Sequence, residues 1–337
     1  MHGQTVLIDL LYDDVRATGG QWNADDCLLL VKSAAEGDQA GVIRHVSNRR
    51  YVDLCREQLP QLNDDQIIAE PARRNTAPCI AYANFKIKAL NPHANIVVSP
   101  ADHLIENEAE FTNVMRSGLE FTAEHDALLT IGIQPSRPDT GYGYINFKSS
   151  EKDIHPVLSF TEKPDSETAK SFLADGNYSW NAGIFLWKAT SIDQAFRSYL
   201  PEMHALFANG EGKYNTPEEQ EFIDNTYANC EDISVDYGIM EKSTNTFVMT
   251  ADFGWSDLGT WGSLYVHLDQ DQDGNAVHGD NTHVYDGKDN IVRLPHGKTA
   301  ILQGLDGYIV VEHNNTLLVC KKEDEQKIKG FVNKLDS

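Results

Sequence analysis

The stretch that decides the fold is ANIVVSPADH, residues 94–103. A short apolar run that ends at a serine and a proline is typical of a strand buried on both faces of a parallel sheet. Similar runs recur at residues 127–133, 157–160 and 183–187, with helical patterns between them. This alternation predicts an α/β domain with a mostly parallel sheet.

Helical spacing is clearest at residues 77–90, where Asn75 or Thr76 is the candidate N-cap. The other predicted helices span residues 108–124, 165–175, 190–199 and 216–227. From His278 to Cys320, short β-type runs are separated by turn residues, which predicts a separate small β unit. A charged terminal helix is predicted from Lys322 to Leu335.

Charge and composition exclude several classes of function. The 337 residues contain 28 Lys and Arg against 51 Asp and Glu, which gives a net charge of −23. Such an acidic chain without a basic patch predicts no nucleic-acid and no membrane partner, and a phosphorylated substrate would need a divalent cation. No apolar run approaches the ~18 residues of a membrane span. Five scattered cysteines without a CxxC pair, and no signal peptide, predict a cytoplasmic protein.

Two aspartates are candidate metal ligands. Asp102 follows the strand in ANIVVSPADH, and ligands of open α/β sheets bind at the carboxyl ends of strands. Asp257 lies between glycines and two tryptophans in FGWSDLGTW, residues 253–261. If they meet in space, the two carboxylates would form a hard-oxygen site suited to Mg²⁺. The alternative is that Asp102 caps the next turn and that Asp257 caps the following helix.

Four further residues suggest a phosphorylated sugar. Lys163 and Glu162 follow the strand in FTEKP, where the ammonium group can pair with a phosphate and the carboxylate can accept from sugar hydroxyls. Gly143 in DTGYGYI allows a close backbone approach, and the Asn181 amide in WNAGIF can bind a hydroxyl. A solvated ion pair, a plain turn and the start of a strand are the respective alternatives.

Each motif is weak alone, but their order along the chain is specific. E-P-x-R-R-N-T-A-P-C-I, S-P-A-D-H, D-T-G-Y-G-Y-I, F-x-E-K-P, W-N-A-G-I-F-L-W, D-Y-G-I-M-E-K and G-W-S-D-L-G-T-W together resemble the mannose-1-phosphate guanylyltransferase family. The resemblance implies a Rossmann-like nucleotidyltransferase domain over residues 46–268. It also implies a left-handed β-helix-like unit and terminal helix over residues 269–337.

The same resemblance implies an activity and a role for each candidate residue. GTP and α-D-mannose 1-phosphate would give GDP-mannose and pyrophosphate, and a homo-oligomer is left open. Asp102 and Asp257 would hold Mg²⁺, and Lys163 would pair with the sugar phosphate. The mannose would be held by Glu162, Asn181 and the Gly143 backbone.

The opening of the chain departs from that family. The family's first strand leads into a glycine-rich loop, G-G-x-G-[ST]-R-x-x-P-[LM]-S, that cradles the triphosphate. Residues 1–45 contain no such motif, and the nearest candidate is ATGGQW at residues 17–22. We therefore expect little synthesis of GDP-mannose. The alternatives are a non-catalytic nucleotide-sugar binder or regulatory homologue, and the same reaction with another sugar such as glucose 1-phosphate.

Overall fold

The computed structural model describes residues 5–10, 42–149 and 153–335. The chain divides into two compact units, Met1–Trp255 and Ser256–Ser337. The boundary expected after residue 268 lies within the second unit. The division at residues 45, 268 and 337 stays a prediction.

The first unit is built on a nine-stranded sheet in the order β3-β2-β1-β4-β9-β6-β10-β8-β7. Its strands are β1 (Thr5–Leu10), β2 (Val42–Asn48), β3 (Ile67–Glu70), β4 (Asn95–Pro100), β6 (Leu128–Ile133), β7 (Tyr144–Phe147), β8 (Ile154–Thr161), β9 (Tyr178–Lys188) and β10 (Thr246–Ala251). The short strands β5 (Leu104–Ile105) and β11 (Trp255–Ser256) lie outside this sheet.

The parallel strands predicted from the sequence are present, and antiparallel β9 lies between two of them, β4 and β6. β1 pairs in parallel with β2 and β4, β2 with β3, and β6 with β10. β9 runs antiparallel to β4 and β6, and β7 and β8 add further antiparallel pairs. The strand predicted at residues 183–187 is longer than expected, because β9 begins at Tyr178. Asn181 therefore lies within a strand and does not begin one.

Seven helices of the described part belong to this unit. They are α1 (Val52–Gln58), α2 (Thr76–Leu90), α3 (Glu108–Glu124), α4 (Ser166–Asp175), α5 (Ala189–Tyr199), α6 (Pro201–Ala208) and α7 (Glu219–Asn229). Helix α2 begins where its N-cap Asn75 accepts a hydrogen bond from the Thr76 N–H, as one of the two predicted caps. Helix α3 has the predicted bounds, because Asn107 caps it by accepting from the Glu110 N–H.

Apolar residues on both faces of the sheet form the core. On β4, Ile96 and Val98 join one buried cluster, whereas Val97 joins a second. On β9, Phe185 and Trp187 belong to the first cluster and Leu186 to the second. Because successive side chains of a strand point to opposite faces, this division shows that both faces are covered.

The second unit contains helix α8 (Trp261–Val266) and six short strands. The strands are β12 (Ala276–His278), β13 (Asn281–Tyr285), β14 (Ile291–Arg293), β15 (Thr299–Gln303), β16 (Tyr308–His313) and β17 (Thr316–Lys321). β12, β14 and β16 stack in parallel in one sheet, which antiparallel β17 completes, and β13 pairs in parallel with β15. The predicted separate β unit is therefore present, while its left-handed β-helical form stays a prediction.

The end of the chain is less helical than expected. The predicted helix from Lys322 to Leu335 consists of a 3₁₀ segment, Lys322–Lys327, followed by the short helix α9, Ile328–Val332. None of the helices in the described part is both long and apolar enough to cross a membrane.

Candidate active site

Asp102 lies just after β4, next to a reversal in the strand order of the sheet. From β1, the sheet continues through β2 and β3 on one side and through β4 on the other. In open α/β sheets, ligands bind outside the carboxyl ends of the strands at such a reversal. Asp102 follows the last residue of β4 by two positions, and its side chain is 24% exposed. The position of Asp102 is therefore the one at which this class of sheet generally binds its ligands.

His103 lies beside this carboxylate in a defined orientation. The Trp255 indole N–H donates to His103 Nδ1 at 3.0 Å, so Nδ1 is an acceptor. In a neutral imidazole the proton is then on Nε2, and this atom lies 3.9 Å from Asp102 Oδ1. The indole thus fixes which ring nitrogen faces the aspartate.

Gly143 and Glu162 lie in direct contact. A Cβ atom built on Gly143 would overlap the Glu162 carboxylate and approach Phe160 Cε1 to 3.2 Å. The Gly143 carbonyl accepts from the Asn181 backbone N–H at 2.8 Å. A side chain at position 143 would displace the Glu162 carboxylate. The structure thus brings together three of the predicted residues, Gly143, Glu162 and Asn181.

Lys163 joins this group from the loop after β8. Its backbone has φ +46°, a left-handed conformation that is uncommon for a residue with a side chain. Its ammonium Nζ lies 3.7 Å from Glu162 Oε1, and its side chain is 61% exposed. The pair contributes little to stability because solvent screens it, but the cation is accessible to an anionic ligand.

Asn181 is held by three hydrogen bonds at an irregularity of the sheet. The pairing of β6 with β9 shifts register between Thr130 and Gly132, opposite Asn181. Asn181 Oδ1 accepts from Thr130 Oγ1 at 2.9 Å and from the Gly183 N–H at 3.2 Å. Its Nδ2 donates to Asp236 Oδ1 at 2.9 Å.

The two carboxyl groups of this cluster have raised pKa values. Burial raises the pKa of Glu162 to about 7, and the nearby Asp236 charge adds to this, while Lys163 opposes it. Burial also raises the pKa of Asp236, while its hydrogen bond from Asn181 lowers it. Perturbed carboxyl groups beside a cation are typical of functional sites. We refer to Gly143, Glu162, Lys163, Asn181 and Asp236 as the β9 cluster.

Aromatic contacts join the β9 cluster to the loop that carries Asp102. The Tyr142 ring lies 4.9 Å from Trp180 and 5.4 Å from Trp255, measured between centroids. Trp255 in turn packs edge-on against His103 at 5.3 Å. A Cβ on Gly183 would lie 3.6 Å from Pro100 Cγ, which brings β9 against the same loop.

Asp257 belongs to the second unit. Its Oδ1 accepts from the Gly259 N–H at 3.0 Å, across Leu258 with φ +48°. The following helix is capped by Thr260, whose side chain accepts from the Ser263 N–H, so the alternative that Asp257 caps this helix is wrong. The pairing of Asp102 with Asp257 on one metal ion stays a prediction. Within the described ranges, no group of three or more His, Cys, Asp or Glu residues could hold a metal ion.

Sequence analysis alone missed Asp236 and Thr130. Asp236 lies in D-Y-G-I-M-E-K, a motif quoted for its resemblance but given no role, so its position in that motif was the available signal. Thr130 lies in an apolar strand, where its sequence context contains no functional signal.

The fold and the site define a class of protein, and comparison with known proteins agrees. A family model described as nucleotidyl transferase matches residues 34–274. The chain therefore belongs to the nucleotidyl transferase family. The match begins 12 residues before the expected start at residue 46, and the candidate loop at residues 17–22 lies outside the described residues.

Within that family, the chain is similar to proteins named mannose-1-phosphate guanylyltransferase. The one from Escherichia coli is 34% identical over 86% of this chain and 64% of its own length. The one from Sinorhizobium fredii is 33% identical over 90% of this chain and 60% of its own length. The resemblance found in the sequence is confirmed, and the chain spans less than two thirds of these relatives.

A solved structure shares the fold. The crystal structure of mannose-1-phosphate geranyltransferase from Thermus thermophilus matches with a TM-score of 0.81 and 23% sequence identity. The match covers 99% of this chain and 100% of that chain. At this identity, the likeness shows the fold alone.

Proposed function

We propose that this chain binds α-D-mannose 1-phosphate and GDP-mannose and is built for guanylyl transfer between GTP and the sugar phosphate. The observation that carries the proposal is the β9 cluster, in which the Glu162 carboxyl group lies against Gly143 and the Asn181 backbone N–H donates to the Gly143 carbonyl. The Lys163 ammonium lies 3.7 Å from the same Glu162 carboxyl group. Membership of the nucleotidyl transferase family and the names of the relatives support the same substrates.

Different residues of the cluster are proposed to bind different parts of the sugar phosphate. The Glu162 carboxylate accepts from sugar hydroxyls, and the Asn181 amide donates to a ring substituent. Because Gly143 has no side chain, the Glu162 carboxylate lies directly against its backbone, and the two are proposed to contact the sugar together. The exposed Lys163 ammonium pairs with the phosphate.

Asp102 and Asp257 are proposed to hold Mg²⁺. The donor set fits this ion, since both are carboxylates and Mg²⁺ prefers oxygen ligands. Asp102 is partly exposed after the end of β4, and Asp257 Oδ1 accepts from the Gly259 N–H. When bound, the ion would neutralise phosphate charge, which a chain with a net charge of −23 cannot do unaided.

The proposed reaction needs no nucleophile from the protein. A phosphate oxygen of mannose 1-phosphate attacks the α-phosphorus of GTP in line, and pyrophosphate leaves. Catalysis then consists of aligning two anions and offsetting their charge. The sequence lacks the glycine-rich motif that cradles the triphosphate in the family it resembles. Loss of one such donor costs about 10²–10³ in rate, so we propose a turnover near background.

A second candidate is a non-catalytic nucleotide-sugar binder, and the same missing motif favours it. Calorimetry with mannose 1-phosphate and GDP-mannose tests the binding, and pyrophosphate release with GTP, mannose 1-phosphate and Mg²⁺ tests the transfer. Binding without release supports the binder. Turnover of about 1 s⁻¹ or more supports the enzyme and contradicts the slow turnover proposed here. Absence of binding to both ligands refutes the proposed function.

Glucose 1-phosphate serves as the competing ligand in the same titrations. Tighter binding of glucose 1-phosphate than of mannose 1-phosphate would move the proposal to the other sugar. The cytoplasmic location and a homo-oligomeric assembly stay predictions.

A further inference from the structure

We propose that Asp236 and Thr130 are positioning residues that hold the Asn181 amide in a single orientation for the sugar. This inference rests on the proposed function, because it assigns a task within the same site. Both residues act through Asn181, and neither is assigned a contact with the ligand.

The orientation of the amide follows from its neighbours. A backbone N–H can only donate, so the atom of Asn181 that faces the Gly183 N–H at 3.2 Å must be the oxygen. The Thr130 hydroxyl donates to the same oxygen at 2.9 Å. The nitrogen then faces Asp236, whose carboxylate accepts one of its two hydrogens at 2.9 Å. The second hydrogen is the one left to reach a hydroxyl of the sugar.

Both anchors are themselves firmly held. Thr130 is fully buried in β6. Asp236 begins the π-helical turn Asp236–Met240, in which the last three residues are buried. A Cβ on Gly238 would approach Leu200 Cδ1 to 2.8 Å, so this turn is packed closely against its neighbour. The preceding Val235 N–H donates to Thr76 Oγ1 at 2.8 Å, which attaches the turn to the first residue of α2.

Asp236 also acts on Glu162 through its charge. The groups that affect the Glu162 carboxyl are Asp236 and Glu241, which disfavour its ionised form, and Lys163, which favours it. Burial raises the pKa of the Tyr237 phenol, and the charges of Glu162, Glu241 and Asp236 add to this. One aspartate therefore links the orientation of the amide to the protonation of the carboxyl group. The pH dependence of ligand binding should therefore change when Asp236 is replaced, whereas a merely structural role would leave it unchanged.

Three variants separate these effects. Asp236→Asn keeps an oxygen that accepts from Asn181 but removes the charge, and Asp236→Ala removes both. Thr130→Val removes the donor to Oδ1 while keeping the shape of the side chain. Thr226→Val is the matched control, because Thr226 is a buried threonine of α7 whose hydroxyl donates to the Phe222 carbonyl.

Affinity for GDP-mannose is measured by calorimetry between pH 5.5 and 8.5, since its diphosphate diester does not titrate in this range. We expect roughly tenfold weaker binding for Asp236→Ala and roughly fivefold for Thr130→Val, the range for one hydrogen bond. Asp236→Asn should bind within about threefold of the wild type at pH 8. The midpoint of its pH dependence should move to lower pH, because the charge that disfavours Glu162 ionisation is gone. Thr226→Val should bind as the wild type does.

Wild-type affinity and an unchanged pH midpoint in Asp236→Ala would overturn the inference. Failure of Asp236→Ala to fold would leave Asp236→Asn and Thr130→Val as the deciding variants.

If the wild type binds no sugar ligand, the proposed function fails. NMR of the ligand-free protein then decides the inference separately. We expect the Asn181 side-chain amide to be protected from exchange in the wild type and Asp236→Asn but not in Asp236→Ala. Equal protection in all three would refute it.

Discussion

Glu162→Gln is expected to stabilise the folded chain and to weaken sugar-phosphate binding at the same time. Burial and the neighbouring Asp236 raise the pKa of Glu162 from its ordinary 4.5 to about 7. The folded chain therefore binds this proton more tightly than the unfolded chain, so the free energy of unfolding falls as the pH rises from about 4.5 to about 7 and then levels off. The full difference corresponds to roughly 3 kcal/mol, and relaxation of the site reduces this to roughly 1–3 kcal/mol.

Glutamine has nearly the same shape and cannot ionise, so the variant escapes this cost. At pH 8, urea denaturation should show that Glu162→Gln is more stable than the wild type by roughly 1–3 kcal/mol, whereas at pH 5 the two should agree within about 1 kcal/mol. Calorimetry at pH 8 should show roughly five- to tenfold weaker binding of mannose 1-phosphate, because the amide oxygen is a weaker acceptor than the carboxylate.

Glu70→Gln provides the matched control. Burial raises the pKa of Glu70 to about 7 as well, and the Tyr227 hydroxyl donates to its carboxylate at 2.7 Å. This variant should gain stability between pH 5 and pH 8 in the same way while its affinity for mannose 1-phosphate stays that of the wild type. The reasoning is refuted if Glu162→Gln follows the same dependence of stability on pH as the wild type, or if it binds the sugar phosphate equally well.

Three further changes test the site. Lys163→Ala should weaken mannose 1-phosphate binding by roughly fivefold at low salt and by less at high salt, because salt screens the exposed ammonium. Calorimetry at two salt concentrations measures this effect, and a variant that binds as tightly as the wild type at both would remove Lys163 from the site. Gly183→Ala should lower the free energy of unfolding by about 1 kcal/mol, because Gly183 has φ +70°, which a residue with a side chain rarely adopts. A Cβ would meet only ordinary contacts, so no steric cost is added, and a thermal denaturation midpoint equal to that of the wild type would contradict the prediction. Asp102→Asn should weaken Mn²⁺ binding in the presence of GDP-mannose by roughly tenfold, as measured by electron paramagnetic resonance titration. Asp175→Asn, at an exposed aspartate, is the control, and an unchanged Mn²⁺ affinity of Asp102→Asn would count against Asp102 as a ligand.

The sequence by itself determined the fold class and most of the elements of the first unit. The apolar run at residues 94–99 and the helical spacing at residues 77–90 are local patterns, and burial on a sheet or against a helix face requires them. Caps are equally local, since Asn75 acts on the next residue in the chain. The order of the motifs was enough to identify the family, because it extends over most of the chain.

Only the tertiary structure decided how the polar residues meet. Asn181 is 51 residues from Thr130 and 55 residues from Asp236, and their hydrogen bonds depend on the register shift between β6 and β9 and on the turn that carries Asp236. A stretch of sequence as short as one helix or strand contains only one partner of each bond. The raised pKa of Glu162 likewise arises from burial and from charges brought near by folding. Hydrophobic periodicity is encoded within each segment, whereas the orientation of an amide and the ionisation of a carboxyl group depend on neighbours that only the folded chain supplies.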